Sequence, residues 1–356
     1  MVFSNNLLMG AAAAAASSGG AAYVPGGSII LNGSDEYLHW TPSSTATSAT
    51  KKTLSFWIKR AALGSVQWLI DAGSNNDQIQ FAAANDLEVS LNATTDAYLN
   101  TTALYRDSTA WMHIVVSFDT GLEASSSRMR LWINGEVVTA FDTSNYPSAD
   151  YALDFMADAV QQNIGRRGNN SQFFSGYLCE FIGLDGYAGL PSDFGTEDSN
   201  GLWVPKDPTD IVTANKGTNG FWLDFADSSD LGNDVSGNNN DFTPVNMGTT
   251  NSVLDRPADD ASTNVGNYWT LNPLASTDTP TNGNLSFTGA ANFSTYATAP
   301  ALPMTGKWYY EVKATGGDAP IGTSASYDAY LGLVRTDIAI PTGSHTSNAG
   351  LWVIAN

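Results

Sequence analysis

Two stretches decide how this chain folds: WMHIVVSFD at Trp111–Asp119 and MRLWINGEVV at Met129–Val138. In the first, Met112, Ile114, Val116 and Phe118 alternate with Trp111, His113, Ser117 and Asp119, the period of two that a half-buried strand requires. In the second, Asn134-Gly135 supplies two residues that tolerate positive φ, which marks a tight hairpin. The same alternation recurs in TLSFWIKR from Thr53, where Leu54, Phe56 and Ile58 form one face and Trp57 and Lys59 the other. SIILNGSDEYLHW, VQWLIDAG, QIQFAAA, LEVSLN, NIGRR and GYLCEFIGLDG extend the series, separated by clusters of Gly, Asn, Ser, Thr and Asp. This pattern predicts an all-β chain of stacked antiparallel sheets. Aromatic residues on both strand faces predict that each sheet turns one side to the core and carries a wide concave surface on the other.

The 356 residues exceed what one core organises: a first, strand-rich domain runs over 23–204 behind a leading segment, 1–22, and family resemblance divides the remainder into a connector, 205–264, and a second sandwich, 265–356. Fifteen basic residues against thirty-five acidic ones leave a net charge of −20, which opposes nucleic acid and anionic membrane alike. LLMGAAAAAASSGG near the start has too few apolar residues to cross a bilayer, which takes ~20. It reads as a segment that orders against a partner, with no membrane insertion.

Candidate chemistry is sparse. Cys179 is the single cysteine, which excludes an intrachain disulfide. Its alternation with Tyr177 and Phe181 predicts a buried small hydrophobe. His113 lies inside a strand, where packing is the expected role. Glu180, alternating with Leu178 and Ile182, stands alone, whereas glycan hydrolysis needs two carboxylates about 5 to 9 Å apart. No nucleophile elbow, P-loop, dinucleotide loop or His-Glu-x-x-His helix is present, so no catalysis is expected. Asp230, Asp234, Asn238 and Asp241, in the loop DSSDLGNDVSGNNND from Asp227, are hard oxygen donors suited to Ca²⁺. An Asx-rich turn bonding its own backbone explains the same letters and is the preferred reading. Rim loops at 73–77, 92–100, 142–150 and 168–174 are the candidate glycan contacts. There Tyr146, Phe173 and Phe174 either stack on a sugar or act as lids on the sandwich ends.

The ordered set YLHWTPSS, TLSFWIKR, ALYRDSTAWMHIVVSFDT, RLWINGEVV, NIGRR and FFSGYLCEFIGLDG resembles the laminin G-like, concanavalin A-like jelly-roll domains, over about half the chain. From Ser199, SNGLWVPKDPTD and GTNGFWLDFADSSDLGNDVSGNNNDFTPVN resemble the connector that follows this jelly roll in tail-fibre and other virion proteins of tailed phages, especially marine ones. From Gly306, GKWYYEVKATGG, AYLGLVRTD and GLWVIAN resemble the opening strands of a second, SPRY-like β-sandwich whose closing strands are missing, so the native chain is expected to continue past Asn356.

These resemblances imply a non-catalytic virion structural protein on a tail fibre or other surface appendage. It would dock on other virion proteins through residues 1–22, assemble as a homotrimer and adhere to a host-surface glycan or protein. A capsid decoration or head-fibre protein, a polysaccharide-degrading appendage and a bacterial cell-surface adhesin are the alternatives.

Overall fold

The structure is a computed structural model that describes residues 23–73, 76–260, 262–263, 265–268, 270–271, 273 and 280–286, with short strand pieces at 3–4, 298–299 and 313–314. The chain forms two compact units, Met9–Tyr268 and a second made of Met1–Leu8 with Trp269–Asn356. Most of the proposed docking segment and of the SPRY-like region lies outside the described residues.

In chain order the strands begin with β1 (Phe3–Ser4), β2 (Ile29–Asn32), β3 (Tyr37–Trp40), β4 (Lys51–Arg60), β5 (Gln67–Ala72) and β6 (Asp77–Phe81). Next come β7 (Asp86–Leu91), β8 (Ala97–Leu104), β9 (Met112–Asp119), β10 (Met129–Ile133), β11 (Glu136–Val137) and β12 (Phe141–Asn145). They continue with β13 (Gln162–Ile164), β14 (Ser175–Asp185), β15 (Gly195–Glu197), β16 (Trp203–Pro205), helix α1 (Thr209–Asn215), β17 (Phe221–Leu223) and β18 (Thr243–Val245). β19 (Thr270–Leu271) pairs with β20 (Thr298–Ala299), and β1 with β21 (Lys313–Ala314). The all-β antiparallel expectation holds.

The larger unit is a sandwich. A seven-stranded sheet runs β11-β10-β9-β4-β14-β17, with β2 sharing the outer edge of β14. It faces an eight-stranded sheet in the order β12-β8-β7-β6-β5-β13-β3-β18. The alternation read at 111–119 and 53–60 sets the inner face. Leu54, Phe56, Ile58, Ile114, Val116 and Phe118 are fully buried against Ile79, Phe81, Val89 and Leu99 of the other sheet. Each such side chain contributes roughly 1.5–3 kcal/mol when removed from water. The sandwich ends are closed by charge. Lys52 meets Asp185 at 2.6 Å, both side chains fully buried, and the Arg60 guanidinium lies 4.0 Å over the Phe81 ring while donating to the Tyr105 carbonyl.

The hairpin at Asn134-Gly135 forms as read, with φ of 49° and 84°. Gly135 is required twice over, because an added Cβ would lie 2.7 Å from the Trp203 ring.

Two strand-face expectations need correction. The outer face of the seven-stranded sheet is no open concave surface, because parts of the later chain, at 187–212 and from 253 onward, return across it. Val115, Ile182 and Leu184 pack there against Phe194 and Val212 of the returning chain. Ile30, Trp57, Trp111, Tyr177 and Cys179 pack against Trp203 and Val253. The second correction concerns β14. A register shift between Cys179 and Ile182 in its pairing with β4 inserts an extra residue, with Glu180 at φ 51°. The bulge reverses the alternation. Cys179 is buried as expected and stays with Tyr177, but Phe181 crosses to the inner core, where it stacks on Phe56 at 4.5 Å.

Candidate functional site

The face of the eight-stranded sheet turned away from the core is polar and largely buried, with Asp71 and Asn163 fully covered and Gln78 4% exposed, and strand pairing composes it. Residues directly opposite one another across antiparallel strands share a side. One row therefore runs Thr243, His39, Asn163, Asp71, Gln78, Ser90, Tyr98 and Asn145. A second runs Trp68, Gln80, Glu88 and Asn100, then reaches Thr143 on β12. At the ~4.8 Å spacing of strands the longer row spans roughly 30 Å.

Hydrogen bonds stiffen these rows without exhausting them. Gln78 Nε2 donates to Ser90 Oγ at 2.5 Å, and both Gln80 and Tyr98 donate to the Glu88 carboxylate. Gly168 N donates to Asp71 Oδ2 at 2.6 Å, bringing the 166–173 loop over one end. At that end Arg166 lies 3.5 Å over the Tyr37 ring, and Arg167 lies 5.0 Å from Trp68. Burial and the Arg166 charge both hold the His39 imidazole below its ordinary pKa. Six buried polar atoms on or beside this face have no hydrogen-bond partner: Trp68 Nε1, Gln78 Oε1, Gln80 Oε1, Asn100 Oδ1, Asn163 Nδ2 and Arg167 Nε. An unmet buried group costs about 1–3 kcal/mol. Such a concentration on one sheet face fits a surface completed by water or by a hydroxyl-rich ligand.

The expected aromatic contacts separate. Phe173 reaches the edge of the face, its ring 6.2 Å from Tyr37. Phe174 is fully buried in the sandwich core, because it leads directly into β14, and it cannot stack on a ligand. Tyr146 is partly buried against the same core. Of the four rim loops, 92–100 contributes Tyr98 and Asn100, which prove to be strand residues, and 142–150 contributes Asn145. Trp68, Gln78, Gln80 and Glu88 were missed. Their period-two spacing was visible, but which strands stand side by side was not.

The 227–241 loop takes the Asx-turn form. Asp234 accepts from the backbone N of Trp222, Ser236 and Asn240 and from Ser236 Oγ. Asp241 accepts from Asp234 N, and Asn238 Nδ2 donates to the Gly217 and Gly220 carbonyls. Asp230 is exposed and apart from this network, accepting from Gly232 N at 3.4 Å. Oxygens committed in this way do not fit Ca²⁺, which takes 6–8 of them. Among the described residues no three His, Cys, Asp or Glu side chains gather in a metal-holding group.

Among the buried titratable groups on the covered face, His113 and Glu180 are the ones a catalytic reading would use. His113 Nε2 is 2.9 Å from Ser55 Oγ, the contact a serine nucleophile would need. Trp203 Nε1 donates to His113 Nδ1 at 3.0 Å. An indole N–H only donates, so Nδ1 is the bare nitrogen and Nε2 carries the proton. Ser55 is therefore the acceptor and His113 cannot serve as its base. Complete burial lowers the imidazole pKa to about 3. Glu180 accepts from Tyr23 Oη at 2.7 Å and Trp222 Nε1 at 2.6 Å. Burial raises its carboxyl pKa to about 8 against the downward pull of those two donors.

Two depressions, of about 280 and 290 Å³, lie elsewhere. One is at the sandwich end beside Arg60 and Tyr105, and the other is lined by Asp193, Lys206, Asp207 and Asp210.

Comparison with known proteins fits this architecture. A family profile described as the concanavalin A-like lectin/glucanases superfamily, of laminin G type, matches residues 32–182. No curated protein sequence matches the chain. Among solved structures, a heptameric SAP-like pentraxin from Limulus polyphemus is 16% identical over 46% of this chain and 76% of its own, with a TM-score of 0.34. A protein of Bacteroides ovatus is 14% identical over 60% and 58%, at 0.39. Domains LG4-5 of the mouse laminin alpha1 chain are 13% identical over 49% and 45%, at 0.35. Likenesses this loose carry no ligand or partner across. The two-sheet architecture and the profile over 32–182 agree on a concanavalin A-like fold of the laminin G type.

Proposed function

We propose that this protein is a non-catalytic glycan-binding structural protein of a tailed-phage virion, carried on a tail fibre or other surface appendage. The observation that carries the binding reading is the pair of polar rows on the eight-stranded sheet with five unpartnered atoms among the described residues, and Arg167 Nε beside them. Planar amides and carboxylates at strand spacing suit the hydroxyls of an extended sugar chain, while Tyr37, Phe173 and Tyr98 offer ring faces. The lectin-type family profile supports the same reading. The virion assignment rests on the resemblance of the 199–246 stretch to phage connectors.

Single contacts of this kind are weak. Several copies on one particle, as in the trimer the resemblance implies, raise avidity through effective concentration. Binding of the full chain to immobilised host capsule or lipopolysaccharide tests the first part, with retention expected and no shortening of the glycan chains. Immunogold electron microscopy with antibody against residues 23–204 tests the second. Label on tail appendages is the expected result, label over the head would transfer the protein to the capsid, and no label would remove the virion assignment.

A further inference from the structure

Lys59, Asp255 and Asn267 converge on the covered face of the seven-stranded sheet. Lys59 Nζ lies 2.7 Å from Asp255 Oδ2 and 3.0 Å from Asn267 Oδ1, and it donates to the Tyr268 carbonyl. Lys59 belongs to β4, while its two side-chain partners come 196 and 208 residues later. The lysine side chain is fully buried and that of Asp255 is 5% exposed. The Tyr177 ring lies 5.5 Å from the amine, and Trp111 Nε1 holds Asp255 Oδ1 at 2.8 Å. An aromatic-walled site thus holds a fully buried amine in hydrogen-bond contact with a buried carboxyl and with a half-buried carboxamide.

Such surroundings disfavour charge on either member of the pair. Burial pushes the Lys59 amine down and the Asp255 carboxyl up, each against the attraction of the other. The neutral pair, amine beside carboxylic acid, holds the same protons as the ion pair and is the form in which the amine is a nucleophile.

We propose that Lys59 and Asn267 become joined by an intramolecular isopeptide bond, with Asp255 as the acid–base group. The Lys59 Nζ lone pair attacks Asn267 Cγ, forming the Nζ–Cγ bond. Asp255, starting as the acid, gives its proton to Nδ2 and takes one from Nζ, the Cγ–Nδ2 bond breaks, and ammonia leaves. Amine plus primary amide gives secondary amide plus ammonia, with no change of oxidation state and no co-reactant. Holding the two groups in contact supplies the effective concentration that an unassisted amide exchange lacks.

The other buried pair serves as an internal contrast. Near Lys52 and Asp185 stands Asn219, but its Nδ2 donates to the Ser44 and Met156 carbonyls. Among the described residues no carboxamide is hydrogen-bonded to Lys52, so one bond is expected and not two. The bond would fasten the returning segment to β4 and keep the cover from peeling off under load.

Intact mass spectrometry of the full chain in denaturant is the test. The expected mass is the sequence mass less one ammonia, with a branched peptide joining Lys59 to Asn267 after digestion. Asn267→Ala keeps the Lys59–Asp255 pair and should fold while showing its full calculated mass. Asp255→Ala should also lose the cross-link. A folded wild-type chain at full mass, with Lys59 open to acetylation once denatured, overturns the proposal. So does an ammonia loss that maps to an Asn-Gly succinimide and is opened by water in mild base to Asp or isoAsp.

Discussion

The indole of Trp203 donates its N–H to Nδ1 of His113 across 3.0 Å, and that bond assigns both residues. It closes the imidazole between Trp203 and Ser55, with the Trp57 ring stacked 4.6 Å away. A histidine that could have been half of a catalytic pair becomes a peg holding β16 against β4 and β9. Gly135 leaves the room in which the Trp203 ring lies.

Trp203→Phe keeps most of the packing and removes the donor, leaving a buried acceptor unmet. A loss of about 1–3 kcal/mol is expected, read from urea unfolding at neutral pH. A variant as stable as the parent would mean that the His113 contact does not hold the cover.

Glu180 sets a pH dependence. Its carboxyl is raised from 4.5 to about 8, chiefly by burial, so the folded state keeps a proton that the unfolded state releases. Its contribution is complete below about pH 4.5, declines as pH rises and is gone above pH 8. Asp77, raised to about 7 by burial, acts in the same direction. Glu180→Gln removes the Glu180 share. Relative to wild type the variant should gain on the order of 2 kcal/mol or more between pH 5 and pH 9. Parallel stability curves for the two proteins over that range would contradict the assignment.

Asp234→Ala breaks four hydrogen bonds that tie the 234–240 turn to Trp222. A thermal midpoint several degrees lower is expected, unchanged by adding Ca²⁺ or a chelator. Midpoints of the parent that rise with Ca²⁺ and fail to rise in this variant would restore the metal reading of the loop.

Legibility followed the range of the interactions. The inner face of β4 and β9 could be read because alternation against a single core fixes register locally, and Asn134-Gly135 because its turn demands positive φ. The bulge at Glu180 carries no such mark: one extra residue in an apolar strand leaves the composition unchanged. The burial of Lys52 and Lys59 left no local sign in the sequence, since their carboxylate partners lie 133 and 196 residues away. The polar rows were hidden for a related reason. Gln78, Gln80, Glu88 and Asn100 each sit on an unremarkable polar side of a strand, and only pairing across β5 to β8 makes them one surface.

Quantitative binding to host-surface glycan, comparing the wild type with a Gln80→Ala/Asn100→Ala double variant, tests the central claim most directly. Neither side chain belongs to the sandwich core, so unfolding curves should be nearly superimposable. The account predicts a measurable affinity for the parent and a loss of at least about tenfold in the variant, from contacts each contributing near 1 kcal/mol. Equal affinity for both proteins would place recognition away from the eight-stranded sheet and contradict the account.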